Sequence, residues 1–231
     1  MAISRIASIT VPVTDHDRAV GLYRDILGFA VIRDQTTSER GRQIHMTAPG
    51  GGAAIILVPA SDLHAAGSTH GGALQVRDML DAVERLARHP NIVGMKESGN
   101  DLILISECVA RTPDNWTVLA GSATTLFHSI CAGCDGAILA LASLVPGPCA
   151  EVVSLVQANR LAEARALHRS LLPLARSIGG VHGIPGLKAA LDLAGYTGGH
   201  PRPPLRPVAP SVVEAIRAEL HALGVAPAHA S

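Results

Sequence analysis

Hydrophobic and polar positions change their period partway along this chain, and the change divides it into two unlike halves. Residues 6–13, Ile6-Ala7-Ser8-Ile9-Thr10-Val11-Pro12-Val13, alternate as a half-buried strand does. Asp15-His16-Asp17-Arg18 then opens a helix expected over about 15–27, with acidic groups at its positive end. Ala19, Leu22, Tyr23 and Ile26 fall on one helical face, and Gly28 ends the helix. Phe29-Ala30-Val31-Ile32 reads as a second strand. Residues 42–47 and 53–58 read as a hairpin around Pro49-Gly50-Gly51-Gly52. The first half is therefore expected to be βαβββ.

Residues 61–72 are small and polar and read as a linker, followed by a short strand at 73–76. Residues 78–88 place Met79, Ala82, Val83, Leu86 and Ala87 on one helical face. The period then alternates. Strands are expected at 92–96, 116–120 and 137–142, separated by helices at 102–109 and 123–132. Apolar strands separated by helices imply βα units in a parallel sheet, buried on both faces. The remaining chain reads as helices over 148–158, 161–178, 186–194 and 211–223.

Charge removes some function classes. The formal net charge is +0, with Lys+Arg 19 against Asp+Glu 19, so the chain carries no footprint for nucleic acid or an anionic membrane. Hydrophobic residues are 48% and aromatic residues 2%, so the core must be built from aliphatic side chains. The start, Met1-Ala2-Ile3-Ser4-Arg5, has no apolar run behind it, and the apolar stretch 136–156 is interrupted by Pro146, Pro148 and Glu151. A cytoplasmic protein is the default expectation. Cys131 and Cys134 form a C-x-x-C, but no second Cys/His pair stands at ligand spacing, so they read as two small, half-buried thiols.

Lys96 is the sharpest chemical feature. It ends an apolar strand, where βα folds gather their reactive groups. A lysine beside apolar walls loses solvation as a cation, and the neutral amine can attack a ketone to form an imine. The same position also suits a lysine snorkelling to water or paired with Glu97. In the first half, His45 is a single candidate metal ligand, and one ligand does not make a site.

The phrases "ITVPVTDHDRAVGLYRDILGF", "RQIHMTAPGGG" and "AAIILVP" resemble one module of the vicinal-oxygen-chelate superfamily, the glyoxalase and bleomycin-resistance fold. That family pairs two such modules around a metal. The resemblance puts Ser8 and Ile55-Ile56-Leu57-Val58 where the family carries ligands, so no metal and no cofactor are expected.

From His89 onward, "HPNIVGMKESGND", "WTVLAGSATTL", "GCDGAILALASLVP" and "GIPGLKAALDLAGYTGGHPRPPLRPV" resemble the dihydrodipicolinate synthase and N-acetylneuraminate lyase superfamily. The likeness is greatest to its 4-hydroxy-2-oxoglutarate aldolase branch. The resemblance implies a class I aldolase or lyase acting on pyruvate or a related 2-oxo acid. It makes Lys96 the Schiff-base lysine and puts Gly94, Gly121, Ser122 and the backbone of Ile138 around the substrate. Lys188 and Tyr196 fall in the family's helical tail, outside its chemistry. The family's hydroxyl-rich carboxylate loop and its Tyr-x-x-Pro proton shuttle have no counterpart here.

The expected architecture is therefore α/β. A glyoxalase-like βαβββ module spans 1–60, a linker spans 61–77, and a partial (β/α) TIM-barrel half with a helical C-terminal tail spans 78–231. A half-cup and a partial barrel both leave apolar faces and sheet edges open, so a homo-oligomer is expected. A catalytically inactive or regulatory fusion remnant is the alternative, and a glyoxalase-superfamily binding protein is a third.

Overall fold

The structure, a computed structural model, describes residues 8–38, 41–61, 65 and 78–225. The strand expected at 73–76 and most of the linker at 61–77 lie outside the described residues. The chain divides into two compact units, Met1–His89 and Pro90–Ser231.

In the first unit, β1 (Ser8–Val13) leads into α1 (His16–Val20), which continues in wider π turns over Gly21–Ile26. The Asp15 carboxylate caps the helix by accepting from the Arg18 N–H at 2.9 Å. Strands β2 (Ala30–Thr37), β3 (Gly41–Thr47) and β4 (Ala54–Pro59) follow, then α2 (Met79–Ala87), capped by Asp78. The sheet order is β1-β4-β3-β2, with β1 parallel to β4 and the other pairs antiparallel. β2 runs well beyond the expected 29–32 because it pairs along all of β3, from Ala30 opposite Thr47 to Thr37 opposite Gly41. Its outer half is polar, so hydrophobic pattern alone does not mark it.

One sheet face carries the core of this unit. Phe29, Ile44, Met46, Ile55 and Leu57 are buried there, with Tyr23 of the helix edge-on to Phe29 at 5.5 Å. Alternate residues face the other way. Across that second face Thr10, Ile56, His45 and Arg33 stand in one row of cross-strand partners. The His45 Nε2 is buried there without a hydrogen-bond partner. One imidazole between an apolar side chain and a guanidinium is a poor donor set for a divalent ion. Among the described residues no three His, Cys, Asp or Glu side chains are arranged to hold a metal.

The second unit opens with β5 (Gly94–Glu97), α3 (Leu102–Arg111), β6 (Thr117–Ala120), α4 (Leu126–Cys131) and β7 (Gly136–Ala137). These strands form a parallel sheet in the order β5-β6-β7. Asp101 caps α3 by accepting from the N–H groups of Ile103 and Leu104, both at 3.0 Å. The Trp116 indole N–H donates to the Ile92 carbonyl at 2.8 Å and ties the feet of β5 and β6 together. At their tops, the Gly121 N–H donates to the Glu97 carbonyl at 2.5 Å.

The structure corrects two expectations. The sequence predicts a third strand over 137–142, but β7 ends at Ala137. After Ile138 donates to Ala120, the chain turns on local bonds from Ala142 to Leu139, Ser143 to Ala140 and Leu144 to Leu141. A strand continues only where a neighbour offers partners, and β6 ends at Ala120. The sheet is also not covered equally. Val118 and Ala120 are each only 1% exposed, whereas Thr117 and Leu119, which alternate with them, are half-buried. Parallel register puts Met95 and Glu97 on the covered face and Gly94 and Lys96 on the open one.

The tail follows as α5 (Pro146–Gln157), α6 (Leu161–Ala175) with π turns over Arg176–Val181, α7 (Gly183–Leu193) and α8 (Pro210–Ala222). Among the described residues no helix is long and apolar enough to cross a membrane. His168 of α6 is 2% exposed and packs between Phe127, stacked at 6.2 Å, and His128, edge-on at 5.7 Å. Its Nε2 meets the Ala123 carbonyl at 3.1 Å. Burial lowers its affinity for a proton, the Ala123 carbonyl works against that, and His128 adds to it. The unfolded chain therefore protonates first. The stability that neutral His168 contributes is full above about pH 6.5 and is lost as pH falls from there toward the depressed folded value. Urea unfolding between pH 7.5 and 5.5 should show this loss, with a slope of at most about 1.4 kcal/mol per pH unit for one proton. His168→Gln should remove that part of the slope, and an unchanged slope in the variant would refute the assignment.

Candidate functional site

The open face of the β5–β6 pair carries Lys96 near its C-terminal end. Lys96 is exposed, which corrects the expectation of a lysine desolvated beside apolar walls. The cause is the alternation of the strand. Glu97 takes the more buried side, and Lys96 projects from the opposite, less buried face. The two side chains therefore do not pair. The Glu97 Oε1 accepts from the Gly99 N–H at 2.6 Å, and its Oε2 is buried without a partner. The Lys96 ammonium has no hydrogen-bond or ion-pair partner among the described residues.

Gly121 faces this lysine directly. A Cβ placed on Gly121 would come within 2.6 Å of the Glu97 carbonyl oxygen, 2.6 Å of the Ser98 Oγ and 2.7 Å of the Lys96 Cε. Lys96, Ser98 and Gly121 are thus immediate neighbours. Ser122, the next residue, turns its hydroxyl to the loop after β5. Its Oγ donates to the Asn100 Oδ1 at 2.8 Å and lies 2.9 Å from the Thr124 Oγ1, which is 3.3 Å from the same Asn100 oxygen.

The other expected site residues stand farther away. Gly94 lies two residues before Lys96 on the same face, but a Cβ there would meet the Thr117 carbonyl oxygen at 2.4 Å. Strand packing alone therefore requires glycine at this position. Ile138 is 53% exposed, and its N–H is engaged by Ala120. It sits past the end of β7, about 10 Å from Lys96 across two strand spacings. Lys188 donates to the Gly198 carbonyl at 2.6 Å, while the Asp192 carboxylate accepts from the Gly198 N–H at 2.7 Å. This clamp holds the turn after α7 and gives Lys188 a structural part. Tyr196, in the same turn, is 58% exposed.

Sequence reasoning missed Ser98, Asn100 and Thr124. The signal was present in "KESGN" and "GSATT", polar residues directly after two parallel strand ends, where βα folds collect function. The cysteines add no chemistry. All four are free, Cys131 is exposed and Cys134 is buried. Burial first, then Asp135 and Glu97, push the Cys134 thiol up to about 11. A shallow cleft of about 450 Å³ on α3 is lined by Leu102, Ile103, Ser106, Glu107 and Ala110 and includes none of the site residues.

The amine of Lys96 and the hydroxyls of Ser98, Ser122 and Thr124 thus stand at or just after the ends of two parallel strands, the side on which α/β folds gather their polar groups. Residues 74–223 match the Dihydrodipicolinate synthetase family, and the chain belongs to that family. Residues 5–117 match the Glyoxalase/Bleomycin resistance protein/Dioxygenase superfamily, so the two matches overlap across α2 to the start of β6. A 4-hydroxy-tetrahydrodipicolinate synthase of Methanopyrus kandleri is 32% identical over 147 residues, which are 63% of this chain and 49% of that protein. The corresponding enzyme of Methanoculleus marisnigri is 34% identical over 139 residues, 59% of this chain and 47% of that one. A solved dihydrodipicolinate synthase from Thermotoga maritima superposes with a TM-score of 0.60 at 30% identity, covering 63% of this chain and 51% of that chain. The chain spans about half the length of the curated relatives it matches.

Proposed function

We propose that this chain is a Schiff-base, class I aldolase-like or lyase-like protein that binds pyruvate or a related 2-oxo acid as an imine on Lys96. The observation that carries the reading is Lys96 itself: an unpaired primary amine at a parallel strand end, beside Ser98 and opposite Gly121, whose missing side chain leaves the lysine room. Attack by the neutral amine on the keto carbon, followed by loss of water, gives an imine that draws electrons from the adjacent carbon. 4-Hydroxy-2-oxoglutarate is the fuller substrate suggested by the sequence phrases around Lys96. The strands β5 to β7 would then form part of a barrel, within a region spanning 78–231, and 1–60 would be a separate module. Incubation with pyruvate and borohydride, followed by peptide mapping, tests the reading. A reduced adduct on the Lys96 peptide is expected, and no adduct at saturating pyruvate would overturn it.

A specific observation also favours a chain with little or no turnover. Neither tyrosine, Tyr23 or Tyr196, stands in the family's Tyr-x-x-Pro context. General acid–base assistance is worth roughly two to four orders of magnitude in rate. Imine formation with weak turnover is therefore the expected behaviour, grading into a regulatory remnant.

We also propose a homo-oligomer. Val93 and Ile103, 71% and 77% exposed, leave apolar surface beside β5 and on α3. Light scattering should report a dimer or larger species, and a monodisperse monomer at high concentration would contradict this.

A further inference from the structure

We propose that Asn100 is a positioning residue for the Lys96 centre: it ties the loop after β5 to the loop after β6 and so sets the gap between Lys96 and Gly121–Ser122 that a 2-oxo acid must enter. The proposal rests on the Schiff-base reading and adds to it a residue that does not itself touch the imine.

The hydrogen-bond geometry supplies the argument. Three polar atoms, the Asn100 Oδ1, the Ser122 Oγ and the Thr124 Oγ1, lie 2.8, 2.9 and 3.3 Å apart. Only two hydroxyl protons serve these three contacts. If Ser122 donates to Asn100, Thr124 must donate to Ser122, and the Thr124–Asn100 contact has no proton. It is the longest of the three, as that arrangement requires. The chain Thr124 to Ser122 to Asn100 is therefore directional and ends on the amide oxygen. The Asn100 amide N–H groups make no bond to the described residues and remain available to an acceptor.

The placement of this chain gives it leverage on the site. At the base of the two loops the Gly121 N–H already holds the Glu97 carbonyl. Asn100 adds a second tie three residues farther along one loop and one residue along the other. Two ties fix the orientation of the segments between them, which carry Ser98 and Gly121; both pack against Lys96, one residue before the first tie, since a Cβ on Gly121 would meet the Lys96 Cε at 2.7 Å and the Ser98 Oγ at 2.6 Å. Asn100 is exposed, so its replacement removes little packing. Misplacement of a reacting group by about 1 Å can reduce its effectiveness roughly a hundredfold.

The test is borohydride trapping of the full chain across a range of pyruvate concentrations. Asn100→Ala should raise the half-saturating pyruvate concentration roughly tenfold or more. The fully saturated label on Lys96 and the thermal midpoint should stay as in the parent. Ser122→Ala should shift half-saturation in the same way, and Asn100→Ala/Ser122→Ala should shift it no further than either alone. Asn100→Asp keeps the accepting oxygen and should recover much of the loss at high salt, where its charge is screened from the substrate carboxylate. Equal half-saturation in parent and Asn100→Ala overturns the positioning role while leaving the Lys96 reading intact. Additive shifts in the double variant overturn it as well. No label on the parent chain overturns both readings.

Discussion

Replacing Lys96 is expected to remove pyruvate labelling completely, and the sequence makes this an unusually clean experiment. The chain contains two lysines, Lys96 and Lys188. Lys188 is engaged with the Gly198 carbonyl in the clamp after α7, so its amine is not free to attack. Lys188→Ala should leave labelling as it is, whereas Lys96→Ala should abolish it. Lys96→Arg is the sharper variant. It keeps the positive charge and the aliphatic stem, but a guanidinium does not lose its proton in a protein and cannot form the imine. Loss of label in Lys96→Arg therefore separates an amine nucleophile from a cation that merely attracts a carboxylate. Label retained in Lys96→Arg, with Lys188 unmodified, would mean that the N-terminal amine reacts and that the assignment is wrong.

Gly94→Ala is expected to destabilise the lysine-bearing sheet severely. The added methyl would lie 2.4 Å from the Thr117 carbonyl oxygen and 2.9 Å from the Thr117 Cβ. The first of these is a backbone atom of the neighbouring strand and cannot swing away as a side chain could. β5 and β6 would have to separate, and the Lys96–Leu119 register would go with them. Overpacking that moves the backbone costs about 1–3 kcal/mol, and the contact here puts the cost at about the upper end. Denaturant titration followed by circular dichroism should show the midpoint fall accordingly. Gly179→Ala is the control, since nothing lies within 4 Å of a Cβ there. It should stay within about 1 kcal/mol of the parent. A Gly94→Ala chain as stable as the parent would show that β5 and β6 pair more loosely than their register implies.

What can be read from the sequence follows from which physical signals are local. The helix opening at Asp15 and the hairpin around Pro49 depend on neighbours in the chain, and each stands where its pattern puts it. Of the helix stripe, Ala19 and Tyr23 pack on the core, but with Val20 and Leu27 in place of Leu22 and Ile26, because the chain turns π after Val20 and shifts the face. The length of β7 depends on whether β6 still offers partners beyond Ala120, which no period within 137–142 records. The exposure of Lys96 depends on what covers one face of a sheet. A run such as Ile92-Val93-Gly94-Met95 is equally apolar whether one face is covered or both. The site divides in the same way. Lys96 and Ser122 are legible from their places at strand ends, whereas the Asn100–Ser122–Thr124 triangle brings together residues more than 20 positions apart.

Trp116 is the only tryptophan in the chain, and the structure makes it a built-in optical probe. It is 7% exposed and its indole N–H is bonded to Ile92, so its emission in the folded state is that of a shielded ring. The first unit contributes Tyr23 and no tryptophan. Excitation at the red edge of the aromatic band therefore reports on the feet of β5 and β6 alone, while far-ultraviolet circular dichroism sums both units. Where the two signals diverge along a denaturation curve, the units unfold separately, and the stability of the lysine-bearing sheet can be measured without cutting the chain.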